Sequence, residues 1–226
     1  MKKTLEILKY YRSFYDWSDV NVTLIVSTGR TGTNFLANYF NENQKGVYSV
    51  HEPNPDLFDL SVEKFRGNKS ILSFQKQLKI NRYNQYQKTK EKENKIYLES
   101  NGNLSLLLPE VIELFEKPKI IFVTRDINTY IISAYNKSPD SSNQMFLYGK
   151  NDHRKRITPF DVNDKINSNK WEHWNRAEKI AWYWAYCNKY ILNSLKSYPY
   201  YQVKFEDLFG EEKVLEMNKL SKYMGL

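Results

Sequence analysis

Residues 22–36 constrain this chain more than any other stretch. Val22-Thr23-Leu24-Ile25-Val26 is an apolar, β-branched run that suits a buried strand. Ser27-Thr28-Gly29-Arg30-Thr31-Gly32 is a turn of small residues around one arginine, and after Thr33 the apolar positions Phe35, Leu36, Tyr39 and Phe40 return at helical spacing. A strand that stops at Ser27 and a helix that starts near Gly32 leave unpaired backbone N–H groups converging on one concavity, with the positive end of a helix dipole behind them. An anionic group is the expected occupant. Gly29 and Gly32 permit the tight turn and a close approach to the ligand, while Thr31, Thr33 and Asn34 offer side-chain donors.

The loop is not a nucleoside-triphosphate loop of the usual kind. With Gly32 set at the second glycine of that pattern, Ser27 stands where the first glycine belongs, Thr33 where the lysine belongs and Asn34 where the magnesium-binding hydroxyl belongs. The cation lies inside the turn instead, at Arg30, whose guanidinium can fork two oxygens of a phosphate or sulfate. A bare strand-to-helix turn in an ordinary α/β protein is the plainer reading of this loop alone.

Further along, strand-like and helix-like segments alternate. Strands are expected at 47–50, 95–98, 119–124 and 200–205, and helices at 33–40, 104–115 with a break at Pro109, 127–135, 171–195 and 213–224, after a leading helix near residues 5–11. Residues 57–78 read as mixed or helical, 81–94 as a polar connector and 138–168 as a long irregular segment. Nearly continuous apolar strands alternating with helices predict an α/β fold of three layers, a central parallel sheet flanked by helices, with ligands at the carboxyl ends of the strands. Three chemically equipped segments fall at such ends: the loop from Ser27 to Asn34, His51-Glu52-Pro53, and Thr124-Arg125-Asp126. The 226 residues suit one domain spanning 1–226.

A formal charge of +8 favours anionic ligands without choosing among nucleotide, nucleic acid, acidic membrane and polyanionic glycan. The single cysteine, Cys187, sits among aromatic residues and reads as a small core residue in a reduced, cytoplasmic compartment. No run approaches the ~20 apolar residues of a membrane span. Trp171, Trp174, Trp182 and Trp184 read first as core, with stacking on a sugar or adenine the alternative. Arg125 leaves a strand and Ser133 follows two helical turns later, a spacing that can clamp a second phosphate; a surface ion pair of Arg125 with Asp126 or Glu99 is the plainer account.

Together these residues resemble the sulfotransferases that use 3′-phosphoadenosine 5′-phosphosulfate, PAPS. The loop Ser27-Thr28-Gly29-Arg30-Thr31-Gly32-Thr33-Asn34 is similar to their 5′-phosphosulfate loop, in the form found in the Golgi carbohydrate and tyrosylprotein branch. Arg125 through Ser133 resembles their 3′-phosphate motif, His51-Glu52-Pro53 the segment that carries a carboxylate base, and Lys204-Phe205-Glu206-Asp207-Leu208 their late strand and following helix. The resemblance implies the P-loop-like fold and transfer of a sulfuryl group from PAPS to a hydroxyl or amine of an acceptor, most simply a saccharide, with no metal and no nucleic-acid partner. It implies cofactor contacts from Thr28, Gly29, Arg30, Thr31, Gly32, Thr33, Asn34, Arg125 and Ser133, with charge stabilisation by Arg30. Glu52 is the expected base and His51 the second candidate. On strand alternation these two point to opposite sides. Glu99 and Asn101 are candidates for orienting the acceptor or the loop, and Arg154-Lys155-Arg156 for contacts that the family draws from a basic segment after the late helix. Two other classes compete: a nucleoside-triphosphate-dependent kinase or NTPase of the same fold, which predicts magnesium dependence, and a non-catalytic polyanion-binding protein, which predicts affinity falling steeply with salt.

Overall fold

The computed structural model describes residues 17–67, 70–91, 95–137 and 154–226. Five strands, β1 (Asn21–Val26), β2 (Val47–His51), β3 (Ile96–Ser100), β4 (Lys119–Thr124) and β5 (Tyr200–Lys204), form one sheet in the order β2-β3-β1-β4-β5. Every pairing is parallel, so all five carboxyl ends lie along one edge. β2 is laid two positions from β1, β3 fills the gap, and β4 and β5 extend the other side; the crevice above such a central strand is where open α/β sheets hold ligands.

The helices are α1 (Thr33–Asn43), α2 (Phe58–Arg66), α3 (Ile71–Glu91), α4 (Leu108–Leu114), α5 (Ile127–Lys137), α6 (Lys165–Trp171), α7 (Arg176–Ser194), α8 (Phe205–Phe209) and α9 (Lys213–Met224), with a 3-10 turn at Gly102–Leu107. Local chemistry explains their ends. Asn175 and Glu178 form a reciprocal capping box on α7, Asp164 caps α6, and Pro109 stands in the first turn of α4, where its missing N–H costs nothing.

The sheet is covered on both faces. On one, Leu24, Val26, Tyr97, Ile120 and Phe122 pack against Leu78, Val111 and Ile191 of α3, α4 and α7. On the other, Ile25, Leu98, Ile121, Val123 and Val203 pack against Leu36 and Phe40 of α1 and Met217, Leu220 and Met224 of α9. Leu36 and Phe40 are fully buried, each contributing about 1.5–3 kcal/mol by leaving water. That anchors α1 with its amino end at the sheet's carboxyl edge.

Two segments depart from the sequence reading. Residues 81–91, expected as part of a polar connector, are the second half of α3. Phe74, Leu78, Arg82, Gln85 and Thr89 recur at helical spacing and are all buried, but the buried stripe turns from apolar to polar halfway, which hid the period. Within 138–168, expected as irregular, residues 138–153 lie outside the described residues and α6 begins at Lys165. The expected leading helix also lies outside the described residues. Among the described residues no helix is long and apolar enough to cross a membrane.

Candidate active site

The loop between β1 and α1 is held from behind. Ser105 accepts the Ser27 N–H at 3.0 Å and donates its own hydroxyl to the Ser27 carbonyl at 2.8 Å. Ser27 Oγ accepts the Gly29 N–H at 3.0 Å, and the Tyr130 hydroxyl donates to the Thr28 carbonyl at 3.3 Å. Gly29, Arg30 and Gly32 have positive φ angles of 81°, 55° and 74°. Such a conformation turns successive N–H groups to one side, making an anion-binding concavity. Gly32 precedes α1 without a side-chain cap, and the first turn of α1 carries no acidic residue, so its exposed N–H groups and dipole face the concavity unopposed. Thr31 is fully buried, and its hydroxyl has no hydrogen-bond partner. A buried hydroxyl is seldom left so. Thr33 is buried and Asn34 exposed.

Gly32 also leaves room for a neighbour. A Cβ there would come within 2.4 Å of the Phe209 ring. Phe209 packs on Phe35 at 5.0 Å and on Phe205 at 4.6 Å between centroids, so three aromatic rings wall the loop on the α8 side. Sequence reasoning missed this wall. The signal was present: Phe205 and Phe209 are four apart and share one helical face.

The structure brings Arg30, Arg125 and Ser133 together. Arg30 Nε donates to Ser133 Oγ at 3.3 Å, and Arg125 Nη1 donates to the Arg30 carbonyl at 2.6 Å. The Arg125 guanidinium lies 4.0 Å from the centre of the Phe205 ring, and the Trp184 indole N–H holds the Arg125 carbonyl at 3.1 Å. Burial lowers the Arg125 pKa, Glu206 and Asp126 oppose that shift, and the like charge of Arg30 adds to it. Neither guanidinium closes an ion pair among the described residues. The alternative ion pair of Arg125 with Asp126 or Glu99 does not form among the described residues. Two half-buried cations next to a hydroxyl form a socket for a multiply charged anion.

Two strands away stands the segment after β2. His51 Nδ1 lies 2.9 Å from the Ser100 carbonyl; a carbonyl can only accept, so Nδ1 carries a hydrogen and Nε2 is the ring nitrogen left for another partner. The Glu52 N–H also donates to the Ser100 carbonyl, at 3.1 Å. Glu52 itself is exposed, with a left-handed φ of 40°, a conformation that costs a non-glycine residue about 1–3 kcal/mol. Strand alternation therefore ends at His51 and does not decide where the Glu52 carboxylate points. With β2 and β1 two positions apart in the sheet, this segment and the phosphate loop are separated by about 10 Å. That leaves room for a transferring group and an acceptor oxygen between them.

Glu99 and Asn101, candidates for orienting the acceptor or a loop, lie in a buried network, and Asn101 also caps the 3-10 turn by accepting from the Asn103 N–H. Glu99 is fully buried and accepts from Arg82 Nε at 2.7 Å, Arg82 Nη2 at 2.6 Å, the Tyr97 hydroxyl at 2.7 Å and Asn101 Nδ2 at 2.9 Å. The carboxylate has no capacity left for a substrate. Its partners reach outward: Arg82 Nη1 holds the Pro55 carbonyl at 2.8 Å, and Asn101 and Asn103 both hold the Asp56 carbonyl. The network fixes the loop that follows Glu52. Gly102, next in sequence, packs against Gly29 of the phosphate loop.

Arg154 and Arg156 do not reach Arg125. Their guanidiniums both lie 4.5 Å from the centre of the Phe58 ring, and Arg154 pairs with Asp56. Those partners follow β2, three strand positions from β4. Trp171 and Trp182 are core residues and Trp174 and Trp184 pack against the same cluster. Cys187 is buried there too, and burial pushes its thiol up to about 12. Among the described residues no group of three or more His, Cys, Asp and Glu side chains is placed to hold a metal ion.

Comparison with known proteins agrees with this geometry. A family model described as the sulfotransferase domain matches residues 21–226. The sulfotransferase domain from the curacin biosynthetic pathway superimposes with a TM-score of 0.56 at 16% identity, covering 92% of this chain and 74% of that one. A sulfotransferase from Alicyclobacillus acidocaldarius gives 0.52 at 15% identity, covering 92% of this chain and 81% of that one. At these identities the two structures speak for the fold. No curated protein matches the chain significantly.

Proposed function

The chain belongs to the sulfotransferase domain family, whose members use PAPS as sulfuryl donor, and from that premise we propose that it transfers the sulfuryl group to a saccharide hydroxyl or amine, with Glu52 as base. The observation that supports the cofactor half of the proposal is the convergence of Arg30, Arg125 and Ser133 beside an uncapped helix terminus. One anion fits the loop and a second fits the two-arginine socket, as the 5′- and 3′-phosphates of one nucleotide require. We assign Thr28, Gly29, Thr31, Gly32, Thr33 and Asn34 to the 5′-phosphosulfate. Arg125 and Ser133 take the 3′-phosphate, and Arg30 bridges the two.

Bound PAPS supplies a sulfuryl group already attached to a good leaving group. In the transfer, the acceptor oxygen–sulfur bond forms as the bond from sulfur to the 5′-phosphate oxygen breaks. The acceptor proton passes to the Glu52 carboxylate, with His51 Nε2 the second candidate. The loop N–H groups and Arg30 stabilise the charge that develops on the leaving oxygen. The Phe35, Phe205 and Phe209 wall offers the base ring a surface to stack on. We read residues 1–226 as one sulfotransferase domain working in the cytoplasm, closest in motif form to the carbohydrate and tyrosylprotein branch.

The test is calorimetric titration with 3′-phosphoadenosine 5′-phosphate (PAP) without magnesium, against ADP with and without it, on the wild type and Arg125→Ala. The wild type is expected to bind PAP selectively, and Arg125→Ala to lose affinity for PAP while keeping that for ADP. Preference for magnesium–ADP, or equal loss of both ligands in the variant, would overturn the assignment.

A further inference from the structure

A trough runs along the outer edge of the sheet, between β2 and α3. Its volume is about 630 Å³, within the range of ligand clefts. Among the described residues β2 pairs with β3 alone, so its other edge offers backbone donors and acceptors as one wall. The opposite wall is a stripe of α3. Asn84, Gln87, Lys88 and Glu91 line the trough at the i, i+3, i+4, i+7 spacing that places side chains on one helical face.

The floor is built and held. Tyr48 and Gln85 are only 8% and 6% exposed, and the Tyr48 hydroxyl donates to Gln85 Oε1 at 2.9 Å. That bond occupies the amide oxygen and leaves the amide N–H₂ as the end a ligand can use. The mouth is formed by His51, Pro53 and Asn54, the residues on either side of Glu52. The loop behind the mouth is the one that Arg82 and Asn101 fix by its Pro55 and Asp56 carbonyls. The trough is thus preformed and ends at His51 and Pro53, the chain neighbours of the proposed base.

Its chemistry selects an occupant. Asn54 and Asn84 can both donate and accept, Gln85 presents its N–H₂, and Gln87, whose N–H₂ donates to the Tyr83 hydroxyl at 2.6 Å, presents its oxygen; such a set suits hydroxyl groups. Lys88 and Glu91 cancel in charge, so a polyanion gains nothing there. Val50, Pro53 and the little-exposed ring of Tyr48 are the apolar contacts, a small surface for a steroid or other large apolar acceptor. Strand addition by a peptide draws its specificity from pockets for alternate side chains, and this wall of amides and charges has none that are apolar. We propose that the trough between β2 and α3 is an acceptor subsite for a neutral glycan chain, which lies along the edge of the sheet while its reacting hydroxyl reaches Glu52. This rests on the saccharide reading above and specifies it.

The experiment is an array of neutral and anionic glycans of graded length, probed with the PAP-loaded protein and with Asn84→Ala/Gln87→Ala, whose altered side chains are exposed on α3. Retention of neutral glycans should grow with length and fall about tenfold or more in the variant, as the loss of two hydrogen-bonding amides implies. Affinity for PAP should not change. Retention independent of length, preference for anionic glycans, or equal retention by the variant would overturn the subsite. Sulfation assays with PAPS separate the two levels. Transfer to single sugars with no gain from chain length would leave the saccharide reading standing and overturn the subsite, whereas transfer only to a phenol or a peptide hydroxyl would overturn both.

Discussion

Glu99→Gln is the substitution that asks most of this structure. Arg82 and Glu99 have side-chain exposures of 1% and 0%, so water cannot replace a lost partner. Gln offers one acceptor atom where Glu99 has two, and each carboxylate oxygen takes one nitrogen of Arg82. Whichever way the amide turns, an N–H₂ faces a guanidinium N–H. The Tyr97 hydroxyl can reverse and accept; Arg82 cannot. The variant keeps a buried guanidinium, short of one hydrogen bond and of its counter-charge, and breaking such a pair costs about 3–5 kcal/mol. For a chain of this size that lowers the melting temperature by roughly 6–20 °C. Urea unfolding at neutral pH should show the loss with an unchanged slope. Arg82→Met added to Glu99→Gln removes the stranded cation and should recover at least half of the stability, but it also removes the hydrogen bond to Pro55. The double variant should therefore be stable yet slow, with kcat reduced and PAP affinity kept. A single variant within about 1 kcal/mol of the wild type, or a double variant no more stable than the single, would refute the reasoning.

Glu52→Gln should leave PAP binding near normal and cut turnover by ~10² or more, the usual contribution of a general base; unchanged turnover in a PAPS-dependent transfer assay would move the role to His51. Asp161 accepts from Arg66 and from both the N–H and the hydroxyl of Thr158. Burial alone would raise its pKa, but these contacts outweigh it and hold the carboxyl below the usual range. A depressed folded-state value adds stability above the unfolded value of about 3.9, and that stability disappears as pH falls through the folded value. Asp161→Asn should therefore be less stable than the wild type at pH 7, with the gap closing in strong acid; a gap independent of pH in urea titrations would contradict the assignment.

The phosphate loop and the strand ends around it could be read from the sequence because each rests on local chemistry: a β-branched run, two glycines, a resumed helical period. The parallel sheet followed from the alternation of such segments, and the bounds of β4 and α9 match the expected ones. What escaped reading depends on partners distant in sequence. The second half of α3 turns Arg82 inward, and a buried arginine looks like a surface residue until Glu99, 17 positions away, is seen beside it. Glu99 likewise reads as a ligand-facing acid at a strand end, although its four donors use up the carboxylate. Phe209 shares a helical face with Phe205, a pattern legible in the sequence, but that the face meets the loop was not, since Phe209 lies 177 positions beyond Gly32 in sequence, yet within contact of it in space.

A strand with one bare edge invites another strand, and a protein that leaves such an edge open courts its own aggregation. β2 is five residues long, and the overhanging stripe of α3 sets Lys88 and Glu91 beside it. A second copy adding its strand there would have to strip water from both charges. The arrangement that leaves the edge within reach of a hydrated, flexible chain therefore discourages sheet-to-sheet growth. Replacing that stripe with apolar residues would turn a binding edge into a site of self-association.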